Sequence, residues 1–234
     1  MVLDTSGSMA GLRMSLLKDA AKRVVNTLTV SDRVAIVPFA TEALEPIVDT
    51  GGTMFIATQE NKNILVDQID RLEAKGRTNI YDAFNTAFDV LDQSAQEEFT
   101  VNCNTAIIFL TDGEMTEPEN VTEAMVLDSV QKRLKEASRL LPKPILLFTY
   151  SVSEQENVHE LPSKLACSTK WGVWSKITAD ANIVDSLSSY YRLFAVGLGT
   201  DQDHIAWVEP YSTYETALSS FPVVSTPRRS CRAL

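Results

Sequence analysis

Cysteine is scarce in this sequence, histidine is scarcer, and basic charge is outnumbered. The three cysteines, at 103, 167 and 231, form no Cys-x-x-Cys pair, so no metal-binding spacing is spelled out. An odd count in an exported protein asks for a bridging partner outside this segment, whereas in a cytosolic protein the three are buried thiols. Composition leaves both readings open. The two histidines, His159 and His204, stand far from any serine motif, and Gly-x-Ser-x-Gly is absent, which argues against a serine hydrolase. His159 reads as a surface helix residue and His204 as a loop residue. No Gly-Lys-Ser/Thr phosphate loop is present. Lys and Arg total 21 against 31 Asp and Glu, for a net charge of -10, which disfavours nucleic-acid binding. No apolar run approaches the roughly 20 residues of a membrane-spanning helix. No signal peptide precedes Asp4, and the first strand has barely four residues where about five are usual, so the chain reads as a fragment or a truncated gene model.

What is present is enough for one ordinary domain and an appendage: 234 residues, 44% hydrophobic and 22% charged. The most informative stretch is the start. A short apolar run, Met1 to Leu3, ends in Asp4, with Ser6, Gly7 and Ser8 following before an amphipathic helix. The same grammar recurs where Ala106 to Leu110 runs into Thr111-Asp112-Gly113. Two buried strands thus each deliver a carboxylate at the carboxyl end, the edge of an open parallel sheet where ligands bind. Two adjacent carboxylates repel and need a shared proton or a cation.

The hydroxyls favour the cation. Ser6 and Ser8 lie two apart around a permissive Gly7, and Thr78 follows Gly76 in a third loop. Carboxylate and alcohol oxygens suit Mg²⁺, Ca²⁺ or Mn²⁺, not zinc or copper. With only two acids on it, such an ion stays electrophilic and open to an incoming carboxylate. That is recognition chemistry more than hydrolysis. The enzymatic alternative, an Asp-nucleophile Mg²⁺-dependent phosphatase, expects Asp-x-Asp, and position 6 is Ser. Capping roles for Asp4 and Asp112, with Ser6 and Ser8 as turn residues, are the bland alternative.

Periodicity along the chain gives strand and helix in alternation. Helices are expected at Leu12–Leu28, Asn61–Glu73, Thr78–Leu91, Pro118–Leu141, Val158–Cys167 and Ala181–Phe194. The apolar face of the fourth is read as Val121, Ala124, Met125, Leu127, Val130, Leu134, Ala137 and Leu140. Strands are expected at Arg33–Ala40, Asn104–Thr111, Ile145–Val152 and Gly172–Ile177. Pro38 marks an edge or irregularity, and Ala43–Thr50 reads as a short antiparallel edge strand. Asp82 reads as a favourable charge in a first helical turn. The pattern is an α/β doubly wound, mostly parallel sheet flanked by helices. A glycosylation sequon, Asn120-Val121-Thr122, nudges the reading toward the secretory route.

Asp4-Thr5-Ser6-Gly7-Ser8, Thr78 and Thr111-Asp112-Gly113 resemble the metal-ion-dependent adhesion site of von Willebrand factor type A domains. That resemblance covers residues 1 to about 195, and it implies that Asp4, Ser6, Ser8, Thr78 and Asp112 hold a divalent cation, Mg²⁺ or Ca²⁺ with Mn²⁺ possible. Residues 196 to 234 change character. Trp207-Val208-Glu209-Pro210-Tyr211 and Phe221-Pro222-Val223-Val224 are similar to the opening of a Cache domain, an irregular tail being the alternative. A type A domain running into a Cache domain looks like the α2δ auxiliary subunits of voltage-gated calcium channels, as do Asn102-Cys103-Asn104 and Leu165-Ala166-Cys167-Ser168. The resemblance implies an extracellular, membrane-associated parent protein whose ion captures a Glu or Asp of a partner, such as the channel's pore subunit. It departs from that family in having no preceding domain, a shortened Cache segment and no anchor. A general extracellular adhesion protein or an inter-α-trypsin-inhibitor-like protein is the broader expectation.

Overall fold

In a computed structural model of the chain, the described residues are 1–96, 104–113, 115–141, 143–153, 159–169, 172–178, 187 and 190. The strands are β1 (Val2–Asp4), β2 (Arg33–Val34), β3 (Val37–Phe39), β4 (Phe55–Ile56), β5 (Ala106–Thr111), β6 (Leu146–Ser151) and β7 (Gly172–Lys176). The helices are α1 (Leu12–Thr27), α2 (Gln59–Asp70), α3 (Ile80–Ala95), α4 (Glu123–Leu140) and α5 (Glu160–Cys167). β3, β1, β5, β6 and β7 lie side by side in that order, and all their pairings are parallel.

Alternating side chains of the strands feed two cores, as the pleat requires. Leu3, Ile108, Leu110, Phe148 and Tyr150 pack with Leu17, Ala21 and Val24 of α1 and Leu65 and Ile69 of α2. Val2, Ile107, Phe109 and Leu147 face the other way, against Ile80, Phe84 and Phe88 of α3, Val130 of α4 and Leu165 of α5. The sheet is therefore covered on both faces. Chain order runs from β1 outward to β3, then crosses back to β5 and on to β7. The order reverses between β1 and β5, so the crevice at their carboxyl ends is the topological switch point where such sheets bind ligands.

Some local expectations change. The single strand expected at 33–40 is split: β2 pairs antiparallel with β4, while β3 joins β1 at the sheet edge. Pro38 sits in β3 with its nitrogen turned away from β1, because Val37 donates to Met1 and Phe39 accepts from Thr5. The expected antiparallel strand at 43–50 reduces to two isolated bridges, Phe39 with Ala43 and Ile36 with Ile47. On α4 the buried stripe is Val126, Val130, Leu134 and Ala137, while Ala124 and Met125 face solvent. The helix begins only after its Thr122 cap, past a turn at Pro118, so the expected face holds at Val130, Leu134 and Ala137 and fails at its N-terminal end, where Val126 is the buried residue. Of the helix expected at 181–194, Leu187 and Tyr190 are described, and both are buried against the α1 side. Residues 196 to 234, with the Cache-like motifs, lie outside the described residues, as do Cys103, Cys231 and His204.

Candidate metal centre

Three loops meet above the β1–β5 crevice, and main-chain hydrogen bonds lock them together. Gly7 N–H donates to the Gly76 carbonyl at 2.9 Å, and Lys75 N–H to the Thr5 carbonyl at 2.8 Å. The amides of Thr116 and Glu117 both donate to the Thr78 carbonyl, and the Thr78 amide donates to Thr116 Oγ1 at 2.8 Å. The first contact requires glycine at position 76 and leaves little room for a side chain at position 7. A Cβ on Gly7 would stand 3.2 Å from the Gly76 oxygen, and Gly76 itself has φ +78°.

Asp4 ends β1 and is fully buried. Its Oδ1 accepts from the Ser6 amide at 2.9 Å, closing a local turn that aims the loop back over the sheet. Its Oδ2 accepts from Thr111 Oγ1 at 2.6 Å, a bond made possible because β1 and β5 are register neighbours. Burial raises the Asp4 carboxyl to about 6, and the negative charge of Asp112 pushes the same way against the Thr111 and Ser6 donors. Ser6 and Ser8 Oγ lie 2.9 Å apart, Ser6 buried and Ser8 half-exposed at the mouth.

Asp112 follows β5 and is 1% exposed. Its Oδ2 accepts from Arg13 Nη1 at 3.0 Å, and the same nitrogen reaches the Ser8 carbonyl at 3.0 Å. Its Oδ1 is buried and has no hydrogen-bond partner among the described residues. A buried carboxylate oxygen in that condition is costly unless something else meets it. Thr78 is 2% exposed on the neighbouring loop, one residue ahead of the Asn79 cap of α3. Asp4, Ser6, Ser8 and Asp112 are thus joined in one network of short contacts. Thr78 is held beside it by backbone bonds to Thr116 and Glu117, which follow Asp112 in the chain, and its hydroxyl makes no hydrogen bond to the other four.

Among the described residues no three of His, Cys, Asp and Glu are grouped to hold a metal. Any ion here must rely on the two aspartates and the hydroxyls, a hard-oxygen set that fits Mg²⁺, Ca²⁺ or Mn²⁺ and has one carboxylate oxygen still unmet. Asp82 is absorbed by capping: Asn79 Nδ2 donates to its carboxylate at 2.7 Å and Asn79 Oδ1 accepts its amide. His159 is not on the surface as expected but 5% exposed, its ring 5.8 Å from Trp174. Cys167 is exposed at the end of α5, and Asn120 of the sequon is exposed.

Two participants escaped sequence reasoning. Thr111 belonged to the motif, yet its role as donor to Asp4 depends on strand register. Arg13 stands second in α1, where a cation opposes the helix macrodipole by about 0.3–1 kcal/mol. A misplaced cation of that kind is a readable sign of a carboxylate nearby.

A doubly wound parallel sheet with such a loop cluster at its switch point defines a von Willebrand factor type A fold, and residues 1–114 match the family model of the von Willebrand factor type A domain. Over that stretch, just under half of its length, the chain is similar to the von Willebrand factor type A family. Its fold resembles a von Willebrand factor type A protein from Catenulispora acidiphila, with a TM-score of 0.59 at 20% identity over 84% of this chain and 41% of that one. A PilB minor pilin from Streptococcus sanguinis superposes with a TM-score of 0.57 at 14% identity, covering 86% of this chain and 60% of that one. The voltage-dependent calcium channel subunit alpha-2/delta-3 of Rattus norvegicus is 26% identical over 213 residues, 90% of this chain and 18% of the relative. Inter alpha-trypsin inhibitor heavy chain 4 of Mus musculus is 34% identical over 116 residues, 49% of this chain and 12% of the relative. The chain spans under a fifth of the length of these two curated relatives. No helix among the described residues is long and apolar enough to cross a membrane.

Proposed function

We propose that this domain is a divalent-cation-dependent protein-binding module of an α2δ-like auxiliary subunit of a calcium channel. Asp4, Ser6, Ser8, Thr78 and Asp112 are the residues that would hold Mg²⁺ or Ca²⁺, with Mn²⁺ as a substitute. The ion supplies an electrophilic point to which a Glu or Asp of the partner protein, such as a pore-forming subunit, binds. The observation that carries this reading is Asp112 Oδ1, buried and unmet beside Asp4 in a cluster of hydroxyls. Thr111 and the Ser6 amide keep the Asp4 carboxylate pointed along the crevice. The Gly7–Gly76 contact fixes the distance between the first two loops. The likeness to alpha-2/delta subunits over 90% of the chain supports the partner class, and a place on the extracellular face of a membrane in the parent protein.

The likeness to an inter-alpha-trypsin inhibitor heavy chain supports a second version, the same ion chemistry in a general extracellular adhesion protein. The two differ in partner, not in site. An Mg²⁺-dependent phosphatase is disfavoured because Ser6 stands where the acid/base carboxylate would.

Asp112→Ala tests the proposal. Calorimetric titration of Mg²⁺ should give one site in the parent chain and a loss of at least a hundredfold in affinity in the variant, with far-UV circular dichroism unchanged. Co-precipitation with a calcium-channel pore subunit should likewise disappear in EDTA. Binding that survives both the substitution and EDTA contradicts the proposal.

A further inference from the structure

Arg13 reaches into the ligand cluster from the first turn of α1, where nothing about helix formation asks for a cation. Its Nη1 bridges Asp112 Oδ2 and the Ser8 carbonyl, each at 3.0 Å, so it ties two of the three loops at the level of the ligands. The side chain is two-thirds covered, with 32% exposed, so the pair is shielded more than a surface ion pair. Asp112 is thereby divided: one oxygen faces the guanidinium and the other is buried and unmet.

Charge counting gives this division a consequence. Two aspartates and one arginine leave the cluster singly negative, so a divalent ion makes it singly positive, and one incoming carboxylate brings it to neutrality. Without the arginine, the ion alone would neutralise the cluster, and attraction for an acid would rest on the open positions of the ion without a net positive charge behind them.

Resting on the ion-binding reading above, we propose that Arg13 sets the charge of the loaded site. As an internal counter-cation it occupies one oxygen of Asp112, loosens the grip on the ion, and leaves the positive charge that selects a carboxylate partner. Arg13 is a specificity-determining residue here and not a ligand.

The test compares the full chain with Arg13→Gln and Arg13→Lys in two titrations. Mg²⁺ binding is measured by calorimetry. Acetate, as the probe carboxylate, is titrated onto Mn²⁺-loaded protein and followed by water-proton relaxation. Removing a like charge a few ångströms from the ion should tighten Mg²⁺ in R13Q by roughly tenfold and weaken acetate by roughly tenfold. R13K keeps the charge and should stay within about threefold of the parent in both. A purely structural arginine predicts otherwise: both affinities fall together in R13Q. The proposal is overturned if R13Q binds Mg²⁺ no more tightly, or acetate no more weakly, than the parent. Should R13Q fail to give a folded circular-dichroism spectrum, R13M keeps the aliphatic stem and is judged by the same two titrations. A parent chain that binds neither Mg²⁺ nor Mn²⁺ sinks the ion-binding reading itself. A parent that binds them while R13Q is unmoved sinks this inference alone.

Discussion

Asp4 is fully buried, accepts hydrogen bonds from Ser6 and Thr111, and has its carboxyl raised from 3.8 to about 6 by burial and by the charge of Asp112. Between those two values the native state holds a proton that the unfolded chain has released. This group favours folding fully below pH 3.8, and the contribution is lost as pH rises through about 6. A displacement of that size corresponds to roughly 3 kcal/mol at most. Asp4→Asn should consequently stabilise the chain in EDTA at pH 7.5 by about 1–2 kcal/mol, and the gain should shrink toward pH 5. Urea denaturation of both proteins at the two pH values measures it. The same variant should lose Mg²⁺ binding. If it is less stable than the parent at pH 7.5, the carboxylate is not under strain. The residue types in the three loops were legible from sequence because two of the motifs follow strand ends and the third follows a glycine just ahead of a helix. The Thr111–Asp4 bond and the Arg13–Asp112 pair were not, since both join residues about a hundred positions apart and depend on register.

β5 forms the middle of the sheet and brings both cores together. Phe109 stacks on Phe39 at 5.9 Å and meets Phe84 at 4.9 Å, linking the edge strand, the central strand and α3 beneath the loops. Phe109→Ala should cost about 3–5 kcal/mol in urea denaturation, because those rings cannot collapse into the void. A loss under 1 kcal/mol would show that the two layers are not held through this ring. The long helices and buried strands were readable from their apolar spacing, which tertiary packing merely reinforces. Misreadings fell where packing decides and spacing does not. Pro38 permits pairing on only one side, so the 33–40 segment divides between two sheets. Thr122 caps α4, which begins at Glu123, five residues after the expected start, and within it Val126 is buried and Met125 is exposed. Trp174 provides the ring surface that draws His159 inward.

Across the whole molecule the parallel sheet, its two covered faces and its single order reversal follow from alternating strands and helices, so the fold class was legible before any coordinates. Partner identity is not encoded in that way, because the sheet only presents the crevice and the loops decide what enters it. A chain with net charge -10 also gains by holding a divalent ion, and the gain should appear as stability. At a hundredfold excess over its dissociation constant, an ion that binds only the folded chain adds about 2.7 kcal/mol. For a chain of this size that is a rise of roughly 5–10 °C in melting temperature, which scanning calorimetry in increasing Mg²⁺ would record. The most direct measurement is anomalous X-ray scattering from crystals of the chain grown with Mn²⁺. One peak, within coordination distance of oxygens from Asp4, Ser6, Ser8, Thr78 and Asp112, is the expected result. A map with no peak in that crevice, or with the ion held elsewhere by other residues, would contradict the central claim.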